Sequence, residues 1–314
     1  RYRNYGDSRT GLAAGQRGLE CALFASTDGG RSFEKRHSWS KADLSYPGNE
    51  VLSIEGTALH LHDDGSCELF VSSEKDLSYP GDVADFQKPT TGIWTIDVIR
   101  AASIDALDPN DIEPALQLNP PPEYVHIKDP YVYENAGGDL VMIFCSHPFC
   151  WSSSNTGVAV RPAGESAFRL LTWQALGRGP AWDVAVTRVT NRLPVPRVGV
   201  FAGLPPVSLF FYDGAECVRE HEQSRKAVRR PRGYSCEEIG GVACGFDSAF
   251  PEMERLSRLR PSFVSPWGTG CSRYVDTLAL DDGLLAVWQQ SREDLSQPLV
   301  GRFLPRHQVE AILS

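Results

Sequence analysis

One short word recurs along this chain, and a repeat of that kind narrows the folds open to it. Each copy has an acidic residue, a short apolar run, a glycine-bearing turn and a second apolar run rich in aromatic and β-branched residues. The copies read IEGTALHLHDDGSCELFVSSE from Ile54, IKDPYVYENAGGDLVMIFCS from Ile127 and YVDTLALDDGLLAVWQQS from Tyr274. A looser copy, WDVAVTRVTNRLPVPRVGVFAG, starts at Trp182. Glycine in DDG and AGG supplies the positive φ that tight hairpin turns require, so each word predicts a β-hairpin. A polar corner follows two of them in nearly the same letters, SSEKDLSYPG from Ser72 and SREDLSQPL from Ser291, and ADLSYPG from Ala42 repeats it again. A further apolar segment comes next (TGIWTIDVIRAAS, LVGRFL), giving a third strand.

Small antiparallel sheets repeated around an axis keep their exposed edges short. The predicted fold is therefore all-β, a five-bladed β-propeller with few short helices. It is read as one domain over 1–314 with blades near 1–48, 49–118, 119–175, 176–232 and 233–314. STDGGRSF from Ser26 matches the Asp-box pattern S-x-D-x-G-x-x-F, in which the Asp and Gly close a hairpin between outer strands. With 28 Gly and 22 Pro against 2 Met, turns outweigh long helices. SIDALDPNDIEPAL (103–116) is interrupted by prolines and reads as a polar excursion with at most a turn of helix. EMERLSRLR (252–260) has helical spacing and predicts one short helix, and PRHQVEAILS closes or covers the last blade.

The formal charge of −9 and the lack of any long apolar run exclude a basic nucleic-acid surface and a membrane helix. The one basic cluster, Arg225–Arg232, reads as a solvated loop. The eight cysteines form no C-x-x-C pair. They read first as buried thiols of a reducing compartment, with a cytoplasmic location, and alternatively as disulfides of a secreted or periplasmic protein. The chain opens at Arg1 instead of Met, which is compatible with a leader removed upstream. The Cys and His spacings fit no zinc template. Oligomeric state is not legible.

Blades that begin with a carboxylate on the innermost strand resemble the five-bladed propeller glycosidases, the superfamily of glycoside hydrolase families 32, 43, 62, 117 and 130. EGTALHLHDDGSCELFVSS is similar to the E-G-P motif that carries the general acid in family 43. KDPYVYENAGGDLVMIF resembles the D-P-x-V motif that carries an essential Asp there. The opening segment RYRNYGDSRTGL with ALFASTDGGRSF resembles half a blade of families 43 and 130. The resemblance implies an exo-acting glycosidase, or a phosphorolytic relative, with a carbohydrate substrate. It implies Glu55 as general acid and Asp129 as the residue that tunes it, with Asp183 or Asp276 as base.

The chemistry has its own rationale. Glycosidic cleavage needs two carboxyls flanking the bond, and crowding raises the pKa of one of them. Glu55, Asp129, Asp183 and Asp276 fall at equivalent places in their words, within about one residue, and are the expected catalytic set. Arg273, Tyr274, Glu238, Trp182 and His126 are the expected substrate contacts, with Glu237 beside Glu238 as a further acid. Trp151, Trp267 and Trp288 are either sugar platforms or core. His60, His62, His126 and His147 lie on or near inner strands. A propeller channel can hold a structural calcium, but such cations prefer oxygen ligands, so no metal role is assigned to these histidines. Two other functions fit the same fold. A sialidase-like hydrolase is suggested by the Asp box but needs several inner arginines. A non-catalytic glycan-binding propeller has no need for repeated axial carboxylates.

Overall fold

Antiparallel strands form wherever the repeated word occurs. The computed structural model describes residues 18–216, 238–267, 270–294 and 296–314. They fall into two compact units. One holds the described residues up to Trp151 together with Ala159–Leu171, and the other holds Ser152–Val158 and the described residues from Thr172 onward.

In the first unit β1 (Glu20–Ala25) pairs with β2 (Glu34–Ser40) as a two-stranded sheet. Then β3 (Val51–Leu61), β4 (Cys67–Lys75), β5 (Ile93–Ala101) and β6 (Glu113–Pro114) follow one another across a four-stranded sheet. A second four-stranded sheet runs β7 (His126–Glu134), β8 (Leu140–His147), β9 (Asn155–Arg161), β10 (Arg169–Leu176), with the residues of β9 and β10 divided between the two units. The second unit has β11 (Val186–Pro194), β12 (Val207–Ala215), β13 (Ile239–Phe246) and β14 (Glu254–Arg255) in one sheet. Its other sheet is β15 (Ser272–Leu280), β16 (Gly283–Gln290) and β17 (Leu299–Pro305). Strand order follows chain order throughout, which is the up-and-down pattern of propeller blades. Among the described residues four sheets have the three or four strands of a blade, and β1–β2 falls short of one.

The turn between β1 and β2 lies within the S-x-D-x-G-x-x-F word. Asp28 Oδ1 accepts the N–H groups of Arg31 and Ser32 at 2.9 Å each, and its Oδ2 accepts from Ser32 Oγ at 2.6 Å. Gly29 and Gly30 take φ of 72° and 83°, which only glycine adopts without strain.

Two expectations are corrected. The last sheet does not open at 233, because β13 pairs along its length with β12 and so belongs to the sheet before it. Its glycines explain this. A methyl group at Gly240 would run into the Phe263 ring, and one at Gly241 into Tyr212, so the IGGVACG strand lies flat beneath two aromatics. The helix over 252–260 does not form either. Glu254 and Arg255 pair instead with Cys244 and Ala243, since nine residues gain too little from helical hydrogen bonds to outbid a sheet edge. The 103–116 excursion contains two short 3₁₀ turns, Ile104–Ala106 and Pro109–Asp111, and the tail forms α1 (Arg306–Leu313). No helix among the described residues is long and apolar enough to cross a membrane. Cys21, Cys67 and Cys244 are free thiols. Arg225–Arg232, Cys217, Cys236 and Glu237 lie outside the described residues.

The first unit's core is not purely apolar. Leu69, Val71, Ile99 and Leu44 pack around Trp39 and Ile54. Beside them Lys75 and Asp97 are buried to 0% and 1% exposure and ion-paired at 2.5 Å. The ring of Tyr46 lies 4.7 Å from the ammonium, and its hydroxyl donates to Asp97 Oδ1 at 3.0 Å. Burial pushes the Asp97 carboxyl up and Lys75 pulls it back. Removing one partner leaves the other charge uncompensated in the interior. Lys75→Met should therefore cost about 3–5 kcal/mol in urea unfolding, and Lys75→Met with Asp97→Leu should recover most of it.

Candidate active site

Two of the expected acids meet in the first unit, and β-bulges bring them there. Pairing of β3 with β4 slips between Ile54 and Thr57, and pairing of β7 with β8 slips between Lys128 and Tyr131. The extra residues are Glu55–Gly56 and Asp129–Pro130. A bulge re-aims side chains that a regular strand would send to alternate faces. Pro130 is tolerated because a bulged position need not donate to the ladder. Asp129 has φ of 53°, unusual for a residue with a side chain. Gly56 allows the approach, since a Cβ there would sit 2.6 Å from Asp129 Oδ1.

A residue that the sequence did not single out joins the two acids. Lys128 Nζ donates to Glu55 Oε2 at 2.7 Å and lies 4.0 Å from Asp129 Oδ2. The same ammonium stands 5.1 Å from the ring centre of Trp94 and 5.7 Å from that of Trp151. Cation–π attraction fixes it between two indoles. The expected apolar setting of Glu55 is thus replaced by an ion pair. The side chains of Glu55, Lys128 and Asp129 keep 14%, 12% and 4% of their surface, a little for the first two and almost none for the third.

His126 is not a substrate contact in this arrangement, because it is wholly buried. It stacks on Trp151 with centroids 3.9 Å apart. Its Nδ1 accepts the Trp94 N–H at 3.4 Å, so Nε2 carries the hydrogen and donates to Tyr79 Oη at 2.9 Å. Tyr79 Oη also accepts from Trp151 Nε1 at 3.3 Å. His126 is a positioning residue that holds Trp151 over Lys128.

The second unit places the other expected residues differently. The β11 bulge falls at Thr190, and Asp183 lies in the loop before that strand. It is wholly buried, paired with Arg255 Nε at 2.7 Å and accepting from Tyr212 Oη at 3.0 Å. Trp182 beside it donates Nε1 to the Ser257 carbonyl at 2.7 Å and stacks on Tyr212 at 5.5 Å. Both serve the interior, because the looser WDVAV copy sets the strand start too early by several residues. Asp276 stays open to solvent on β15, where Asn191 Nδ2 donates to it at 2.7 Å. Desolvation by the surrounding protein raises its carboxyl, against the Thr277 N–H and Asn191.

Arg273, Tyr274 and Glu238 do come together, around residues that the sequence reading missed. Arg188 Nη2 reaches Asp213 Oδ2 at 2.7 Å and Glu238 Oε1 at 2.8 Å. Arg273 pairs with Glu238 and donates Nε to Gln289 Oε1 at 2.7 Å. Tyr274 occupies the β15 bulge with φ of 53°, and its N–H points at both Asp213 oxygens, 3.1 and 3.2 Å away. Its ring faces the Arg188 guanidinium at 4.1 Å. Burial raises the Asp213 carboxyl, Arg188 opposes this and Glu238 adds to it. Asp213 was hidden by Gly214, since Asp-Gly reads as a turn and not as the end of a strand.

No family model and no curated protein matches the chain. Solved structures do. A glycoside hydrolase is 11% identical over 96% of this chain and 86% of its own, with a TM-score of 0.57. An α-L-arabinofuranosidase from Lactobacillus brevis is 12% identical over 87% of this chain and 78% of its own, with a TM-score of 0.53. A family 117 glycoside hydrolase from Zobellia galactanivorans is 10% identical over 80% of this chain and 66% of its own, at 0.50. The chain spans 64% of the length of a further match from Bacteroides thetaiotaomicron. At such identities the likeness shows the fold, an all-β propeller with few helices.

Burial, and then the nearby Lys128, lower the pKa of His126 from 6.5 to about 3. Below pH 6.5 the unfolded chain therefore takes up a proton that the native one refuses, and stability falls as pH falls toward 3. This residue alone contributes a slope of up to about 1.4 kcal/mol per pH unit. His126→Gln should show a shallower loss than wild type in urea midpoints measured between pH 7 and 4.

Proposed function

We propose that the protein is a glycoside hydrolase acting on a terminal glycosidic bond, with Glu55 and Asp129 as its carboxyl pair. The observation that supports this is their placement on adjacent bulged strands, both within reach of one ammonium. Their nearest oxygens are thereby held within about 7 Å of each other, a separation compatible with the ~5–9.5 Å of glycosidase pairs. The propeller enzymes it resembles in fold include hydrolases of this class.

The ion pair favours roles other than those the motif resemblance implies. Glu55, the anionic half of a contact with Lys128, suits the base or nucleophile. Asp129, farther from the ammonium and almost enclosed, suits the proton donor. Its positive φ is the kind of local strain that functional positions retain. Trp151 supplies a partly open indole beside them. Asp276 is a further open carboxyl in the second unit. A sialidase-type reading needs arginines available to a substrate carboxylate, and Arg188 and Arg273 are engaged with Asp213 and Glu238. The two-stranded β1–β2 sheet is read as part of a fifth blade.

A panel of aryl glycosides tests the reading. One or more should be turned over, and Glu55→Gln and Asp129→Asn should each lower kcat/KM by about 10²–10⁴ with the fold intact. Asp129→Asn should lose less on a good leaving group, which needs little acid help. Turnover at wild-type rates in both variants contradicts the assignment.

A further inference from the structure

We propose that His60, His62 and Glu134 form a binding site for a divalent transition metal of the zinc class, at the far end of β3 from Glu55. Five residues of strand separate Glu55 from His60, on the order of 15 Å at the usual rise per residue. The site is therefore distinct from the carboxyl pair and independent of the glycosidase reading.

Strand geometry brings the three together. His60 lies near the end of β3 and His62 just beyond it. Their rings stand edge to face with centroids 4.5 Å apart. Glu134 ends β7, and its Oε2 lies 3.9 Å from His60 Nε2. One ligand atom from each residue falls within 4.8 Å of the others. Zinc–ligand bonds of ~2.0–2.2 Å place tetrahedral ligand atoms about 3.4 Å apart. A small rotation of Glu134, whose side chain is 51% exposed, brings its carboxylate from 3.9 Å toward that distance of His60.

Two further features point to a ligand. His60 Nε2 is buried and has no hydrogen-bond partner among the described residues, although it is directed toward Glu134. A buried polar atom in that state costs stability unless something satisfies it. His62 is prepared in a complementary way. Its Nε2 lies 3.0 Å from Glu68 Oε1, and Glu68 is paired with Arg100 and Arg161, so it accepts and does not donate. His62 Nε2 therefore carries the hydrogen, and the lone pair of the neutral ring lies on Nδ1. A carboxylate behind a ligating imidazole is the outer-shell arrangement that orients histidines on zinc. Two imidazoles and one carboxylate are a set for zinc or its neighbours in the transition series and not the oxygen shell of calcium. Three protein ligands leave a position for water, and the ion would pin the end of β3 to the end of β7.

The test uses the untagged full chain, treated with EDTA and dialysed. Zn²⁺ is titrated with calorimetry and thermal unfolding, and Co²⁺ serves as a spectroscopic probe. The expected result is one ion per chain, a Tm raised by several degrees, and a visible Co²⁺ band from a low-symmetry nitrogen–oxygen site. Glu134→Gln, an exposed substitution that leaves the fold intact by circular dichroism, should weaken binding at least tenfold, and His60→Asn should abolish it. Absence of saturable Zn²⁺ binding up to 100-fold molar excess overturns the proposal. So does binding unchanged in both variants, or binding that disappears on thiol alkylation and so belongs to cysteines.

Discussion

The ammonium of Lys128 is the group on which the first unit's site depends. Two carboxylates on neighbouring inner strands repel each other unless a cation stands between them, and Lys128 contacts one and approaches the other. Its own burial is tolerable because two indoles present their faces to it. Trp151 is held in turn by the His126 stack and by Tyr79. His126 can support that chain only as a neutral ring, which its burial ensures. The site is thus a sequence of dependencies running from a charge, to the aromatic faces that accept it, to a neutral imidazole behind them.

The second unit uses the same device with a different cation. Arg188 stands between Asp213 and Glu238, and Arg273 takes the remaining side of Glu238. Tyr274, at a bulge with the same positive φ as Asp129, turns its N–H to Asp213 and its ring to Arg188. In both units the bulge, and not the regular strand, gives the positive-φ residue its direction. The fork of a guanidinium can serve two carboxylates at full hydrogen-bond distance, whereas the lysine at Glu55 and Asp129 serves one closely and one loosely. That asymmetry underlies the different roles proposed for Glu55 and Asp129.

Much of the fold was legible because hairpins announce themselves locally. Glycine turns such as DDG and AGG and the alternation beside them mark β3–β4, β7–β8 and β15–β16 directly. Asp28 and its two glycines likewise mark the β1–β2 turn. Boundaries were less legible where tertiary packing decided them. β13 reads as the opening of the last blade until Phe263 and Tyr212 are laid against it, and 252–260 carries helical spacing that a sheet edge overrides. In the site, Glu55 and Asp129 could be found because each begins a repeated word. Lys128 could not, since a cation beside Asp129 has no spacing signature until β3 is placed next to β7. Asp183 was misplaced for the converse reason, a word that begins before its strand does. His60 and His62 were read with no metal role, because Glu134, which stands 3.9 Å from His60, comes from another strand.

The pH dependence of kcat/KM in Lys128→Met tests most directly whether this cation sets the chemistry of the two carboxyls. Removing the positive charge 2.7 Å from Glu55 makes its ionised form less favourable. The acidic limb of the profile, which reports the group that must be ionised, should therefore move to higher pH on an aryl glycoside that wild type hydrolyses. A variant that keeps its activity with the limb unmoved would contradict the account, because Glu55 and Asp129 would then act without the charge that holds them together.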